Sequence, residues 1–140
     1  MALALTGALS CSSPVEPPTA TISYRTTEAV YRIPVDGMPD SIRTEITNSG
    51  RDTISLLTCG GPFEDLQTYR EGAWTNVFGN PEDCLPMLIP VAPRETLRSG
   101  YEIWSYLELK PGLYRLRVRC FTVDGRFFRF SYSNPFWILE

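Results

Sequence analysis

The groups in this chain that could do chemistry are four thiols, two adjacent pairs of carboxylates and a row of arginines. The cysteines stand at 11, 59, 84 and 120. The carboxylate pairs are Glu64-Asp65 and Glu82-Asp83. Arg115, Arg117 and Arg119 repeat at every second position, with Arg126 and Arg129 close behind. What is absent constrains these groups as much as what is present, for the 140 residues contain no histidine. Ser-His-Asp and Cys-His nucleophiles, histidine general bases and most zinc sites all need an imidazole. Turnover would have to come from a carboxylate dyad, an activated thiol, a tyrosine or Lys110, the single lysine. The acidic pairs lack the spaced ligands of a calcium loop and read as solvated charges in loops. We therefore expect no catalytic residue, no metal and no cofactor.

Each remaining group has a binding reading and a plain one. An arginine row on one strand face suits phosphate, an acidic glycan or lipid headgroups. Its plain reading is a solvated outer face paired with Glu102 and Glu108 on a neighbouring strand, where ion pairs contribute little. Trp74, Trp104, Trp137 and the seven tyrosines could form a ligand platform. Strand cores also need aromatic residues, and that reading leads. Cys120 falls mid-strand on an inward face and reads as a small buried hydrophobe. Cys59 ends a strand and Cys84 lies in an irregular loop. Both sit where geometry is adjustable, so Cys59–Cys84 is the favoured disulfide in a compartment that permits one.

The element that must position these groups is residues 107–120. Pro111-Gly112 makes a turn. Tyr114, Leu116, Val118 and Cys120 then alternate with Leu113, Arg115, Arg117 and Arg119. Period two, with one apolar and one charged face, marks a half-buried antiparallel strand. Earlier strands are expected at 21–24, 29–33, 41–48 (Ile42, Thr44 and Ile46 inward) and 53–57. Leu66–Tyr69 and Trp74–Phe78 form a hairpin with Gly72 in its turn. Residues 79–93 carry four prolines and form the longest loop. A long strand follows from Glu95 to Tyr106, with Gly100 a place for a bend or bulge. Asp124-Gly125 marks a tight hairpin. A two-residue loop with Asp124 and Gly125 central would pair Cys120 with Arg129 and mix apolar and charged sides, whereas a three-residue loop, Asp124–Arg126, would pair Cys120 with Phe130 and Val118 with Tyr132 and is preferred. That register puts Phe128, Phe130 and Tyr132 on the core face. Asn134-Pro135 interrupts, and residues 136–139 close the last sheet. The fold class is all-β, an antiparallel sandwich of eight or nine short strands with no significant helix.

Composition agrees with one globular domain: 43% hydrophobic, 21% charged and a net charge of −3. An acidic chain is no dedicated nucleic-acid binder. No stretch approaches the roughly 20 apolar residues that span a bilayer as a helix. The first eleven residues, MALALTGALSC, are uncharged and mostly small or apolar. Residues 12–20 hold three prolines and read as an extended spacer.

Three resemblances add to this reading. Ala8-Leu9-Ser10-Cys11 resembles the lipobox of bacterial lipoproteins, with Ala8 where leucine is usual and no basic residue ahead of it. It implies a lipid, palmitate included, on Cys11. The organisation is then residues 1–10 as a signal remnant, 11–20 as a Pro/Ser-rich tether and 21–140 as the domain. The other reading is a short apolar leader before a cytosolic domain. Tyr114, just after Pro111-Gly112, resembles the tyrosine corner of immunoglobulin-like and fibronectin-type sandwiches. Finally, an ordered set of segments resembles bacterial immunoglobulin-like domains of secreted proteins and lipoproteins. These are Ile46–Ser49, Cys59-Gly60, Glu71–Trp74, Leu109–Arg115 and Ser133–Phe136, with Pro93-Arg94-Glu95-Thr96 where that family often has Pro-Gly-Glu-Thr. The same layout is similar to the BsuPI-type intracellular proteinase inhibitor domain. Neither family implies catalytic residues.

The expectation is a lipid-anchored, extracytoplasmic lipoprotein of the bacterial cell envelope, in the periplasm or on the cell surface. It acts as a non-catalytic binding or structural module. It reaches the membrane through Cys11 and a protein partner through the loop bearing Asn80, Pro81, Glu82, Asp83, Leu85 and Pro86. The alternative is a proteinase inhibitor of BsuPI-like type.

Overall fold

The computed structural model describes residues 22–35, 39–58, 64–78, 86–104 and 107–140. The lipidation site Cys11, the tether, Cys59, Cys84 and loop residues Asn80 to Leu85 lie outside them; Pro86 lies within and is exposed. Two sheets share one apolar core. The smaller has three strands: β1 (Ile22–Thr26), β3 (Asp40–Asn48) and β8 (Thr96–Ile103), in the order β1-β3-β8 and antiparallel throughout. Strand β3 buries Ile42, Thr44 and Ile46 on its inner side, as its alternation requires. Gly100 pairs regularly with Arg43, so the strand is not bulged there. A Cβ at that position would meet the Ser41 hydroxyl, which would have to turn away.

The larger sheet contains β2 (Val30–Arg32), β4 (Ile54–Thr58), β5 (Glu64–Arg70), β6 (Ala73–Asn76), β7 (Met87–Val91), β9 (Gly112–Thr122), β10 (Phe127–Tyr132) and β11 (Phe136–Leu139). Strand β9 is its axis. Along one edge it pairs with β4 at residues 120–122 and with β5 at 114–118. Along the other it pairs with β10 at 117–121 and with β11 at 112–114. Each edge is thus a single track broken in two. This raises the count to eleven described strands, above the eight or nine expected.

Ser133 and Asn134 manage one of those breaks. Ser133 donates its backbone N–H to the Leu116 carbonyl at 2.9 Å, and its hydroxyl accepts the Leu116 N–H at 2.9 Å. The side chain stands in for a ladder carbonyl where the track is interrupted. The Asn134 carboxamide accepts from Thr26 N–H and donates to Thr26 Oγ1, both at 2.9 Å. It ties β1 of the smaller sheet to the β10–β11 junction of the larger.

The chain changes sheets between β1 and β2, and β2 runs parallel to β11. All other pairings are antiparallel. A leading strand shared between two sheets, together with the three-strand sheet opposite a β9-centred one, makes this an immunoglobulin-like sandwich. The Tyr114 hydroxyl donates to the Lys110 carbonyl at 2.5 Å, which is the tyrosine corner expected from the sequence. Its ring lies in the core, stacked on Phe136 with centroids 6.5 Å apart. Tyr24, Tyr31, Tyr101, Leu116, Val118 and Cys120 complete the same core.

The hairpin joining β9 and β10 departs from the expected register. Cys120 lies opposite Arg129, and Val118 opposite Ser131. Nearer the tip Phe127 faces Phe121, and an extra residue is taken up between Phe127 and Arg129. Such a β-bulge inverts the in-out alternation beyond it. Phe127 and Phe130, three residues apart, therefore share one face, with ring centroids 5.0 Å apart. Phe130 and Tyr132 point outward and are exposed, and Phe128 alone packs against the core. The β5–β6 hairpin is as expected: Glu71 and Gly72 have φ of 51° and 82°, the two left-handed positions of a tight primed turn.

The poles of the sandwich can be read from the registers. Ile22 lies opposite Asn48, whose buried carboxamide donates to the carbonyls of Asp52 and Val91 at 2.8 and 3.0 Å. Val91 lies opposite Ile54, which lies opposite Thr122. The chain therefore enters the domain at the pole that carries the tip of the β9–β10 hairpin.

Candidate recognition face

With Tyr114, Leu116, Val118 and Cys120 buried, Arg115, Arg117 and Arg119 must project from the outer face of β9. Their neighbours follow from the register. Strand β5 places Gln67 beside Arg115 and Asp65 beside Arg117. Strand β10 places Tyr132 and Phe130 on the opposite side, and β6 brings Trp74 over β5.

The guanidinium of Arg115 stands 4.4 Å from the Trp74 ring centroid and 3.9 Å from that of Tyr132, one ring from each side of β9. Its Nε donates to Gln67 Oε1 at 2.8 Å, and Gln67 in turn donates to Asn76 Oδ1 at 2.9 Å. Desolvation under the rings lowers the Arg115 pKa from its usual value. Arg117 stands 4.3 Å from the Phe130 centroid and donates to Asp65 Oδ2 through Nε at 3.1 Å and Nη2 at 2.7 Å. Arg119 Nη2 lies 3.7 Å from the same oxygen. Cation–π contacts of this kind contribute about 0.5–1 kcal/mol each at exposed sites and more when desolvated. Tyr69 leans on Trp74 at 5.2 Å, and Phe121 and Phe127 meet at 5.6 Å. Tyr69, Phe127, Phe130 and Tyr132 remain between 37% and 49% exposed. The face is a strip of guanidinium groups laid on aromatic rings, with the Asp65 carboxylate set between Arg117 and Arg119 among the described residues.

Several expectations change here. The arginines do not pair with Glu102 or Glu108: Glu102 belongs to β8 in the other sheet, and Asp65 is the acid on this face. Glu64 and Asp65 are not loop charges. They open β5, and its alternation sends Asp65 out and Glu64 in. Glu64 is 4% exposed; its Oε1 accepts from Thr44 Oγ1 at 3.2 Å, while Oε2 has no hydrogen-bond partner among the described residues. Burial pushes its pKa up to about 7, against the hydrogen bonds from Thr44 and Ser99 that favour the ionised form. The aromatic residues divide. Tyr24, Tyr31, Tyr101 and Tyr114 are core; Trp74, Tyr69, Tyr132 and Trp137 are on outer surfaces. The parity of β5 relative to buried Leu66 could have separated Glu64 from Asp65. No such signal marks the bulge that turns Phe130 and Tyr132 outward.

Cys120 is buried as expected, with its thiol pushed up to about 11 by desolvation. No group of three metal-ligating side chains occurs among the described residues. The Glu82-Asp83 pair lies outside them. A cleft of about 380 Å³ beside the tyrosine corner is lined by groups of both signs, among them Arg70, Glu108 and Lys110.

No family model and no curated protein matches this sequence. Among solved structures, the chain is similar to the ASH / PapD-like domain of human CEP192 (PapD-like domain 7), at 13% identity and a TM-score of 0.44, over 100% of this chain and 97% of that one. It is also similar to part of a β-glucosidase from Listeria innocua in complex with isofagomine, at 13% identity and a TM-score of 0.38. That match covers 87% of this chain and 16% of the enzyme.

Proposed function

We propose that this protein is a membrane-anchored, extracytoplasmic bacterial lipoprotein whose immunoglobulin-like domain is a non-catalytic binding module, and that the outer face of the larger sheet is where it binds. The observation that carries the reading is the arginine strip between exposed aromatic rings. Arginine and aromatic residues are enriched where protein surfaces contribute most to binding. The groups with strongly displaced pKa values support binding over turnover: Glu64 and Cys120 are both buried, and neither presents a nucleophile to solvent. The apolar leader ending at Cys11 and the Pro/Ser spacer after it support the anchor.

Two experiments test the reading. Cys11→Ala should move the protein from the membrane to the soluble fraction, and unchanged fractionation would remove the lipoprotein assignment. Arg117→Glu with Arg119→Glu should abolish capture of an envelope partner by the full chain. Capture that survives the double reversal would show that another surface binds. Dose-dependent inhibition of a serine protease, lost in the same variant, would transfer the assignment to a proteinase inhibitor of BsuPI-like type.

A further inference from the structure

We infer that the ligand of this face is an extended polypeptide segment with carboxylate side chains at alternate positions, lying along β9. The inference rests on the reading of the strip as a binding surface and adds its chemistry. Charge comes first. On a chain of net charge −3, the described residues of this strip set three guanidinium groups around the carboxylate of Asp65, and the Nη groups of Arg115 lie outside its reach. The strip therefore complements an acidic ligand.

Geometry narrows the choice. Arg115, Arg117 and Arg119 recur every second residue on one strand face, a repeat of about 7 Å. An extended peptide has the same repeat, so acidic side chains at alternate positions meet successive arginines. Arg115 has rings of Trp74 and Tyr132 against it and its Nε committed to Gln67. Its Nη groups have no acceptor among the described residues, and the edge they form suits a carboxylate taken in bidentate fashion. The same stacking argues against a sugar polymer, because guanidinium groups already lie on Trp74, Tyr132 and Phe130. The exposed rings of Tyr69 and Phe127 flank the row and suit apolar residues at the ends of the segment.

The test uses the full chain and three probes: a fluorescent eleven-residue peptide alternating glutamate with threonine, its glutamine counterpart, and a heparin fragment. Anisotropy should show saturable binding of the glutamate peptide that weakens with salt, at least tenfold tighter than the glutamine peptide. Arg115→Lys keeps the charge and loses the fork, and should weaken glutamate-peptide binding about tenfold while leaving the circular dichroism spectrum unchanged. If that variant is misfolded, Arg119→Gln should give the same loss. Equal binding of the two peptides, or binding that survives both variants, would overturn the inference. Tighter binding of heparin than of the glutamate peptide would overturn it in favour of a sulfated glycan. If no probe binds while Arg117→Glu with Arg119→Glu still abolishes partner capture, the peptide chemistry falls and the face stands. If capture too survives, both fall.

Discussion

The hydroxyl of Tyr114 donates to the backbone carbonyl of Lys110, four residues upstream, across the Pro111-Gly112 turn. The bond fixes the start of β9, the strand on which both edge tracks and the arginine row depend. Tyr114→Phe keeps the ring in its place against Phe136 and removes only this bond. We expect a loss of about 0.5–1.5 kcal/mol, the net value of one such bond, measured by urea unfolding. A neutral substitution would make Tyr114 an ordinary core residue.

The buried carboxyl of Glu64 should make stability depend on pH. Its pKa rises from 4.5 to about 7 on folding, so the folded state holds a proton that the unfolded chain has lost between those values. The contribution is complete below about pH 4.5 and is lost as pH rises through about 7, with an upper bound of about 3 kcal/mol. Tyr24 and Tyr101, which pack near it, are both shifted upward, Tyr101 to about 12, and stay neutral throughout. Glu45, lowered by its hydrogen bonds to Arg25 and Arg98, acts at more acid pH. Unfolding midpoints should therefore fall from pH 5 to pH 8, and Glu64→Gln should flatten that fall. Parallel profiles for the two proteins would assign the dependence elsewhere.

Asn134 makes two hydrogen bonds to Thr26 and joins the two sheets at the interrupted edge. Asn134→Ala leaves the Thr26 N–H without its acceptor. We expect a loss of about 1–3 kcal/mol, the cost of stranding a partly buried donor. A melting temperature within a degree of wild type would show that the sheets need no such tie.

Cys120 should resist alkylation in the folded protein. It is buried, and its thiol is pushed up to about 11, so little thiolate exists at neutral pH. Peptide mapping after iodoacetamide treatment should find Cys120 unmodified until denaturant is added. Labelling of Cys120 at the unfolded rate under native conditions would contradict its placement.

The strands that were legible in advance are those where one rule governs every residue. Strand β3 alternates inward and outward residues from Ile42 to Asn48, and β9 alternates apolar and charged residues from Tyr114 to Cys120; the structure buries the inward set of each, Thr44 and Asn48 included. The tyrosine corner was legible because a turn and a tyrosine stand at a fixed offset. In strand β10 hydrophobicity alone points Phe130 and Tyr132 to the core, whereas in the structure they cover guanidinium groups on the outside. The bulge that allows this leaves no hydrophobic signature. Glu64 departs from expectation for a related reason. A carboxyl in a core is costly unless it holds its proton, and the burial that makes Glu64 do so is set by strands from distant parts of the chain, against the opposing pull of Thr44 and Ser99.

The pole at which Ile22 enters also sets a direction. Strands β1 and β9 run lengthwise from and toward that end, so on the proposal that Cys11 carries the anchor the domain would stand upright on its strands. The arginine row, which follows β9, then looks sideways. On that proposal such a face would meet neighbours at its own height, not the surface beneath it. The length of residues 11–20 would set that height, much as a mast sets the level of a lamp. Lengthening or shortening the mast would change which neighbours are met, with no atom of the binding face altered.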